Sequence, residues 1–128
     1  MQYLLDTHVL IWWITSDNRL SAAAKALIQS RRNTLYWSAA SSWEVSIKHA
    51  LGRLVFDEAP EKLFASELEK NHIETLVITN EHAFLAGQLP MHHKDPFDRM
   101  LVAQAQIESL SIVTNDPILQ RYDVDVVW

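Results

Sequence analysis

Apolar residues along this chain alternate between two kinds of segment. Short apolar runs bounded by polar residues recur at Tyr3–Leu5, Leu35–Trp37, Thr75–Ile78, Ser111–Thr114 and Val124–Val127, and each reads as a strand. Longer stretches with helical spacing fill the gaps: Val9–Ile14, Ala22–Arg31, Trp43–Leu51, Pro60–Lys70, Asn80–Gln88, Phe97–Ser109 and Pro117–Arg121. Strand–helix alternation of this kind predicts an α/β fold, with a mostly parallel central sheet of about five strands covered by helices on both faces. Ligands in such sheets bind beyond the carboxyl ends of the strands, where the strand order reverses.

In the third helical stretch Trp43, Ile47, Ala50, Leu51 and Leu54 recur at helical spacing. They predict a core-facing stripe with Glu44 beside it. Trp37 and Trp43 are expected in the core. Trp12 and Trp13, adjacent on a short helix, cannot both face inward, so one of them is expected at a partner surface.

Carboxylates collect where this pattern places the carboxyl edge of the sheet. Asp6 follows the first strand, Asp116 follows the fourth after Asn115, and Glu44 and Asp98 fall in the first turns of helices. Each has a structural explanation. Asp6, Asp95 and Asp116 are all suited to capping helices, Ser41-Ser42-Trp43-Glu44 has the spacing of a capping box, and Glu44 and Lys48 can form an i,i+4 ion pair. Asp98 fits least well. With Pro96 at the first helical position, Asp95 takes the cap, and Asp98 is left only a dipole contribution of about 0.3–1 kcal/mol. Four carboxylates at one edge repel one another unless a cation compensates, and magnesium or manganese is the cation suited to oxygen ligands. Such a site suits phosphodiester hydrolysis.

Composition narrows the alternatives. The 128 residues fit one domain spanning 1–128, and 48% apolar content is enough for a core. A formal charge of −5 argues against polyanion binding through bulk charge, so contact with nucleic acid needs local basic groups or bridging cations. The absence of cysteine removes disulfides, thiolate nucleophiles and Cys-rich zinc sites. With only Gly52 and Gly87, neither a phosphate-cradling loop nor a dinucleotide fingerprint can be built. Val9–Ile14 is far shorter than the roughly 20 residues that span a bilayer, so a soluble, unprocessed, cytoplasmic protein with no membrane partner is expected.

Basic groups accompany the acids. His93, Lys94 and Arg99 lie beside the presumed edge, and with Lys48 they are candidate contacts to nucleic-acid phosphates. Lys25, Arg31 and Arg32 read as a solvated face. His92-His93 makes a poor zinc pair, because adjacent rings rarely converge on one ion. The serines around Ser41 lack the flanking glycines of a nucleophile elbow.

The order of these pieces resembles a known family, the PIN-domain ribonucleases, and within it the VapC-like toxins of type II toxin–antitoxin modules. The resemblance spans nearly the whole chain. Its carriers are Leu4-Leu5-Asp6-Thr7-His8, Ser41-Ser42-Trp43-Glu44-Val45 with Lys48 and Gly52, His93 to Ala105 through Asp95-Pro96-Phe97-Asp98-Arg99, and Thr114-Asn115-Asp116. It implies a three-layer α/β/α fold and an acidic quartet at Asp6, Glu44, Asp98 and Asp116 that binds magnesium or manganese and cleaves RNA. Thr7 and Asn115 become supporting polar groups. Asp95 competes with Asp98 for the third carboxylate, and Asp98 is preferred. The resemblance also implies a homodimer and a cognate antitoxin whose tail covers the groove.

Three rivals remain open. A phosphatase-like hydrolase would use Asp6 as covalent nucleophile, but it usually has a second aspartate two residues on, where this chain has His8. A receiver-like module needs paired acids after the first strand, where Thr7 stands. A degenerate PIN domain acting only in binding has no need of the intact carboxylates.

Overall fold

The computed structural model describes residues 1–128. In chain order the elements are β1 Gln2–Leu5, α1 Thr7–Ile14, α2 Ala22–Gln29, β2 Thr34–Ser38, α3 Ala39–Ala50, α4 Pro60–Lys70, β3 Ile73–Leu76, α5 Asn80–Gln88, α6 Pro96–Glu108, β4 Ser111–Val113 and β5 Val126–Val127. The five strands form one parallel sheet in the order β3-β2-β1-β4-β5. After β1 the chain first builds outward through β2 and β3, then returns to the other side of β1 for β4. The strand order therefore reverses at the β1–β4 pair, whose carboxyl ends lead to Asp6 and Asp116.

Strand alternation divides the core into the two outer layers of an α/β/α sandwich. Tyr3 and Leu5 of β1 and Val113 of β4 point into a cluster with Val9, Leu10, Trp12, Ala24, Ile28, Trp37, Val45 and Phe64, from α1 to α4 and β2. Leu4 and Ile112, one residue out of phase, join Ala86, Leu89, Leu101, Val102, Ala105 and Leu119 on the opposite face.

Caps and prolines set several boundaries where the sequence expects them. Pro60 and Pro96 occupy the first turns of α4 and α6, and Asp95 caps α6 by accepting from the amides of Phe97 at 2.8 Å and Asp98 at 3.4 Å. Other boundaries differ from expectation. The third strand spans Ile73–Leu76 rather than Thr75–Ile78, because Ile73 is the residue that registers with Leu35, and Val77 and Ile78 lie exposed beyond the sheet. The stretch Pro117–Arg121 contains only a single 3-10 turn, Leu119–Arg121, after a bend closed by Asp116.

The largest correction concerns α3. It begins at Ala39, capped by Ser38, whose hydroxyl accepts from the Ala40 amide. The expected capping box at Ser41–Glu44 does not form, since both residues already lie inside the helix. The buried stripe is Ala40, Ser41, Glu44 and Val45 rather than the Trp43 stripe, and Trp43 and Leu51 are each 63% exposed. Ser41 can be carried inward because its hydroxyl accepts from Thr7 Oγ1 at 2.7 Å, while exposed Ser42 accepts from Trp37 Nε1 at 2.8 Å. Trp37 is in the core as expected. Trp12 is also inside, with Trp128 edge-on to it and the Arg19 guanidinium 5.0 Å from its ring centroid, and half-buried Trp13 packs against the same cluster. No helix is long and apolar enough to cross a membrane.

Candidate metal centre

Asp98 and Asp116 come together with His93 above the β1–β4 pair, and Asp6 and Glu44 lie close enough to act on Asp98 by charge. Asp6 has the backbone conformation of an N-cap, but its side chain makes no cap bond to α1. Instead Oδ2 accepts from Thr114 Oγ1 at 2.7 Å. Thr114 also accepts from the Asp116 amide at 3.0 Å, so one buried hydroxyl ties the acid after β1 to the acid after β4. Asp116 Oδ1 accepts from the Ile118 amide at 2.9 Å, which closes the bend and leaves Oδ2 for the cluster.

Glu44 lies on the buried stripe of α3. Its Oε2 is 2.6 Å from Lys48 Nζ, while Oε1 is buried with no hydrogen-bond partner. Asp98 occupies the third position of α6, free of capping duty because Asp95 performs it. Its side chain is 15% exposed.

Burial and mutual repulsion set the charge of these groups. Burial, followed by the negative charges of Asp6, Asp95, Glu44 and Asp116, pushes the Asp98 carboxyl up to about 8 from an ordinary 3.8. Burial also raises Asp6, with Glu44 adding to the effect and the Thr114 hydrogen bond and His8 opposing it. The metal-free cluster therefore holds a proton at neutral pH.

His93 completes the group. Its Nε2 lies 3.0 Å from Oδ2 of both Asp98 and Asp116, and the ligand atoms of these three residues all fall within 4.8 Å of one another. The tautomer follows from the other ring nitrogen. Nδ1 accepts from the Asp95 amide at 3.2 Å, so the neutral ring carries its proton on Nε2 and donates it to Asp116. In this arrangement His93 acts as a donor to the acids. Coordination of a cation through Nε2 would require the other tautomer and the loss of the Asp95 bond.

The remaining sequence candidates are placed as follows. Thr7 is buried, and its hydroxyl donates to Ser41, joining the start of α1 to α3, while its backbone amide favours the ionised Asp6 carboxylate. Asn115 and Lys94 are exposed, and Lys48 is engaged with Glu44. Arg99 does not lie at a phosphate surface. It is 8% exposed, and its guanidinium donates to the carbonyls of Ala86 at 2.8 Å, Leu89 at 3.0 Å, Pro90 at 3.1 Å and His93 at 3.3 Å. These include carbonyls of the last turn of α5, left without partners by the helix end.

Sequence reasoning missed Thr114 as an orienting group and cast His93 as an RNA contact. Thr114 could have been found as the hydroxyl closing an otherwise apolar strand beside Asn115-Asp116. Nothing local marks His93, since its partners are 5 and 23 residues away in sequence.

Comparison with known proteins agrees with this architecture. A family model described as PIN domain matches residues 3–125. A Mycobacterium tuberculosis protein described as Ribonuclease VapC22 is 32% identical over 120 residues, covering 93% of this chain and 90% of that protein. Among solved structures, VapBC2 of Rickettsia felis, bound to a promoter DNA fragment, superposes with a TM-score of 0.71 at 17% identity, covering 99% of this chain and 98% of that one. VapBC-1 of nontypeable Haemophilus influenzae gives 0.66 at 21% identity, covering 99% and 97%. These two likenesses are of fold.

Proposed function

This chain belongs to the PIN domain family, and on that premise we propose that it is a magnesium- or manganese-dependent endoribonuclease, the toxin half of a toxin–antitoxin pair. The observation that carries the reading is the crowding at Asp98, where burial and four neighbouring carboxylates hold the acid protonated up to about pH 8. Caps alone do not require this crowding, since Asp95 suffices to cap α6. A hard divalent cation relieves it. Asp6, Glu44, Asp98 and Asp116 would hold the ion, and the partnerless, buried Oε1 of Glu44 supports that fit. Such an ion supplies a more acidic water nucleophile and stabilises the charge that develops during phosphodiester hydrolysis.

The chain's own residues orient the acids. Thr114 holds Asp6 Oδ2, the Asp116 side chain is fixed at Oδ1 by Ile118, and Lys48 balances Glu44 Oε2. His93 keeps a proton on Nε2 and delivers a hydrogen bond to Asp116. Thr7 supports the site indirectly by docking α3 through Ser41, and Asn115 stands at the rim next to Asp116. Lys94, exposed before Asp95, is the basic residue free to meet a phosphate.

The toxin reading draws support from the relative described as Ribonuclease VapC22 and from VapBC assemblies of the same fold. On this reading the chain works in the cytoplasm as a homodimer, restrained by a cognate antitoxin. Purified chain freed of any partner should cleave RNA in magnesium and stop when the metal is chelated. Asp6→Ala should abolish cleavage, and cleavage that persists in chelator would overturn the reading.

A further inference from the structure

Trp43 and Phe97 form an edge-to-face pair, with ring centroids 5.3 Å apart and planes at 83°. Trp43 immediately precedes Glu44 on α3, and Phe97 immediately precedes Asp98 on α6. One residue along a helix is a rotation of about 100°. Each aromatic is thus turned out of the stripe that carries its carboxylate, and the two rings meet where α3 packs on α6. Phe97 braces an indole that is 63% exposed, unlike Trp12 and Trp37, which are buried. The result is a flat apolar surface at a fixed position relative to Glu44 and Asp98.

Charge indicates what can cover it. The chain carries −5, four carboxylates gather next to the pair, Lys48 is bound to Glu44, and Arg99 is buried on backbone carbonyls. Beyond exposed Lys94, phosphate contacts are therefore a poor source of affinity here, and an acidic peptide would be repelled. A nucleobase is uncharged and presents a π face, so its stacking is insensitive to the neighbouring acids. Bases in a duplex are already stacked and unavailable, whereas bases in single strands and loops can splay onto aromatic side chains.

We propose that Trp43, braced by Phe97, is a stacking platform for an unpaired base next to the scissile phosphate. The placement next to a scissile phosphate rests on the ribonuclease reading above, but the stacking can be tested without cleavage.

The probe is a fluorescein-labelled single-stranded RNA octamer, compared with a duplex of the same sequence, and its anisotropy is followed with the full-length chain in chelator and in magnesium. The intact protein should prefer the single strand. Trp43→Ala should weaken its Kd about 5- to 100-fold, while Trp43→Phe retains most of the affinity. Phe97→Leu should fall between them. Phe84→Ala, which removes an equally exposed aromatic from α5, should change nothing. Thermal melts establish that each variant is folded.

The platform is overturned if Trp43→Ala binds as the intact chain does, or if the intact chain binds single strand and duplex alike or neither. It is also overturned if the loss in Trp43→Ala coincides with a dimer becoming monomer in sedimentation velocity, since the pair would then belong to an interface between copies. Trp43-dependent binding without any magnesium-dependent cleavage would sink the ribonuclease reading and leave the platform standing. Cleavage that Trp43→Ala leaves intact would do the reverse.

Discussion

Replacing Asp98 by asparagine should stabilise the metal-free protein while abolishing the proposed RNA cleavage. In the unfolded chain Asp98 titrates near 3.8, whereas in the fold its carboxyl is pushed up to about 8 by burial and by Asp6, Asp95, Glu44 and Asp116. Between those two values the native state holds a proton that the unfolded state has released. The native state therefore binds more protons, and stability falls as pH rises from about 4 to about 8 before levelling off. At pH 7 the cost is roughly 4 kcal/mol, taking about 1.4 kcal/mol for each pH unit between 3.8 and 7. Asparagine is neutral in both states and of similar size, so it escapes this cost. Coupled protonation of the neighbouring acids offsets part of the effect, which brings the expected gain to about 2–4 kcal/mol. For a chain of this length that corresponds to a rise of roughly 10 °C in Tm. Melts in chelator between about pH 5 and pH 8 should show the gap between Asp98→Asn and the unmodified chain widening with pH. Asp6, also raised by burial, leaves a slope of the same sign in the variant. Manganese should reverse the ranking, because it stabilises the intact quartet by binding to the native state. A gap that stays constant with pH, or an unmodified chain that is the more stable in chelator at pH 8, would refute the crowding argument.

Other perturbations separate the orienting groups from the structural ones. Thr114→Val keeps shape but removes the hydroxyl on Asp6 Oδ2; manganese affinity measured calorimetrically should weaken about tenfold, and an unchanged affinity would remove Thr114 from the site. Arg99→Gln should lower stability by about 3 kcal/mol or more by stranding buried carbonyls, with RNA affinity per folded molecule unaffected. A folded but RNA-blind variant would return Arg99 to the binding surface. Lys48→Met should destabilise the metal-free protein by about 1–3 kcal/mol, because Glu44 is left buried and unpaired, and manganese should recover much of that loss; an unchanged melt would show the pair to be incidental.

Much of the fold follows from local pattern. Alternation in Tyr3-Leu4-Leu5 and Ile112-Val113 determines which side chains go to which layer, because a strand must send successive residues to opposite faces. Asp95-Pro96 fixes the start of α6, since proline's dihedral and missing amide suit the first turn and nothing distant competes for it. The presence and order of Asp6, Glu44, Asp98 and Asp116 are likewise plain in the chain.

Which of those acids is free to act was decided only in three dimensions. Asp6 reads as a cap by position, yet Thr114, 108 residues away, holds its carboxylate off the helix. Glu44 reads as flanking the apolar face of α3, yet the face that turns inward is the polar one carrying Ser41, because Thr7 satisfies that hydroxyl and α1 and α6 pack there. Trp43 is displaced to the surface for the same reason. Arg99 and His93 look alike as basic neighbours in sequence, and only the backbone around them separates the arginine closed over carbonyls from the histidine aimed at two acids. Helix and strand propensity act over a few residues, whereas the pairing that makes a buried polar group tolerable comes from wherever the chain happens to return. The sequence alone thus determined the layers and the stock of carboxylates, and the tertiary structure decided their partners and their charge.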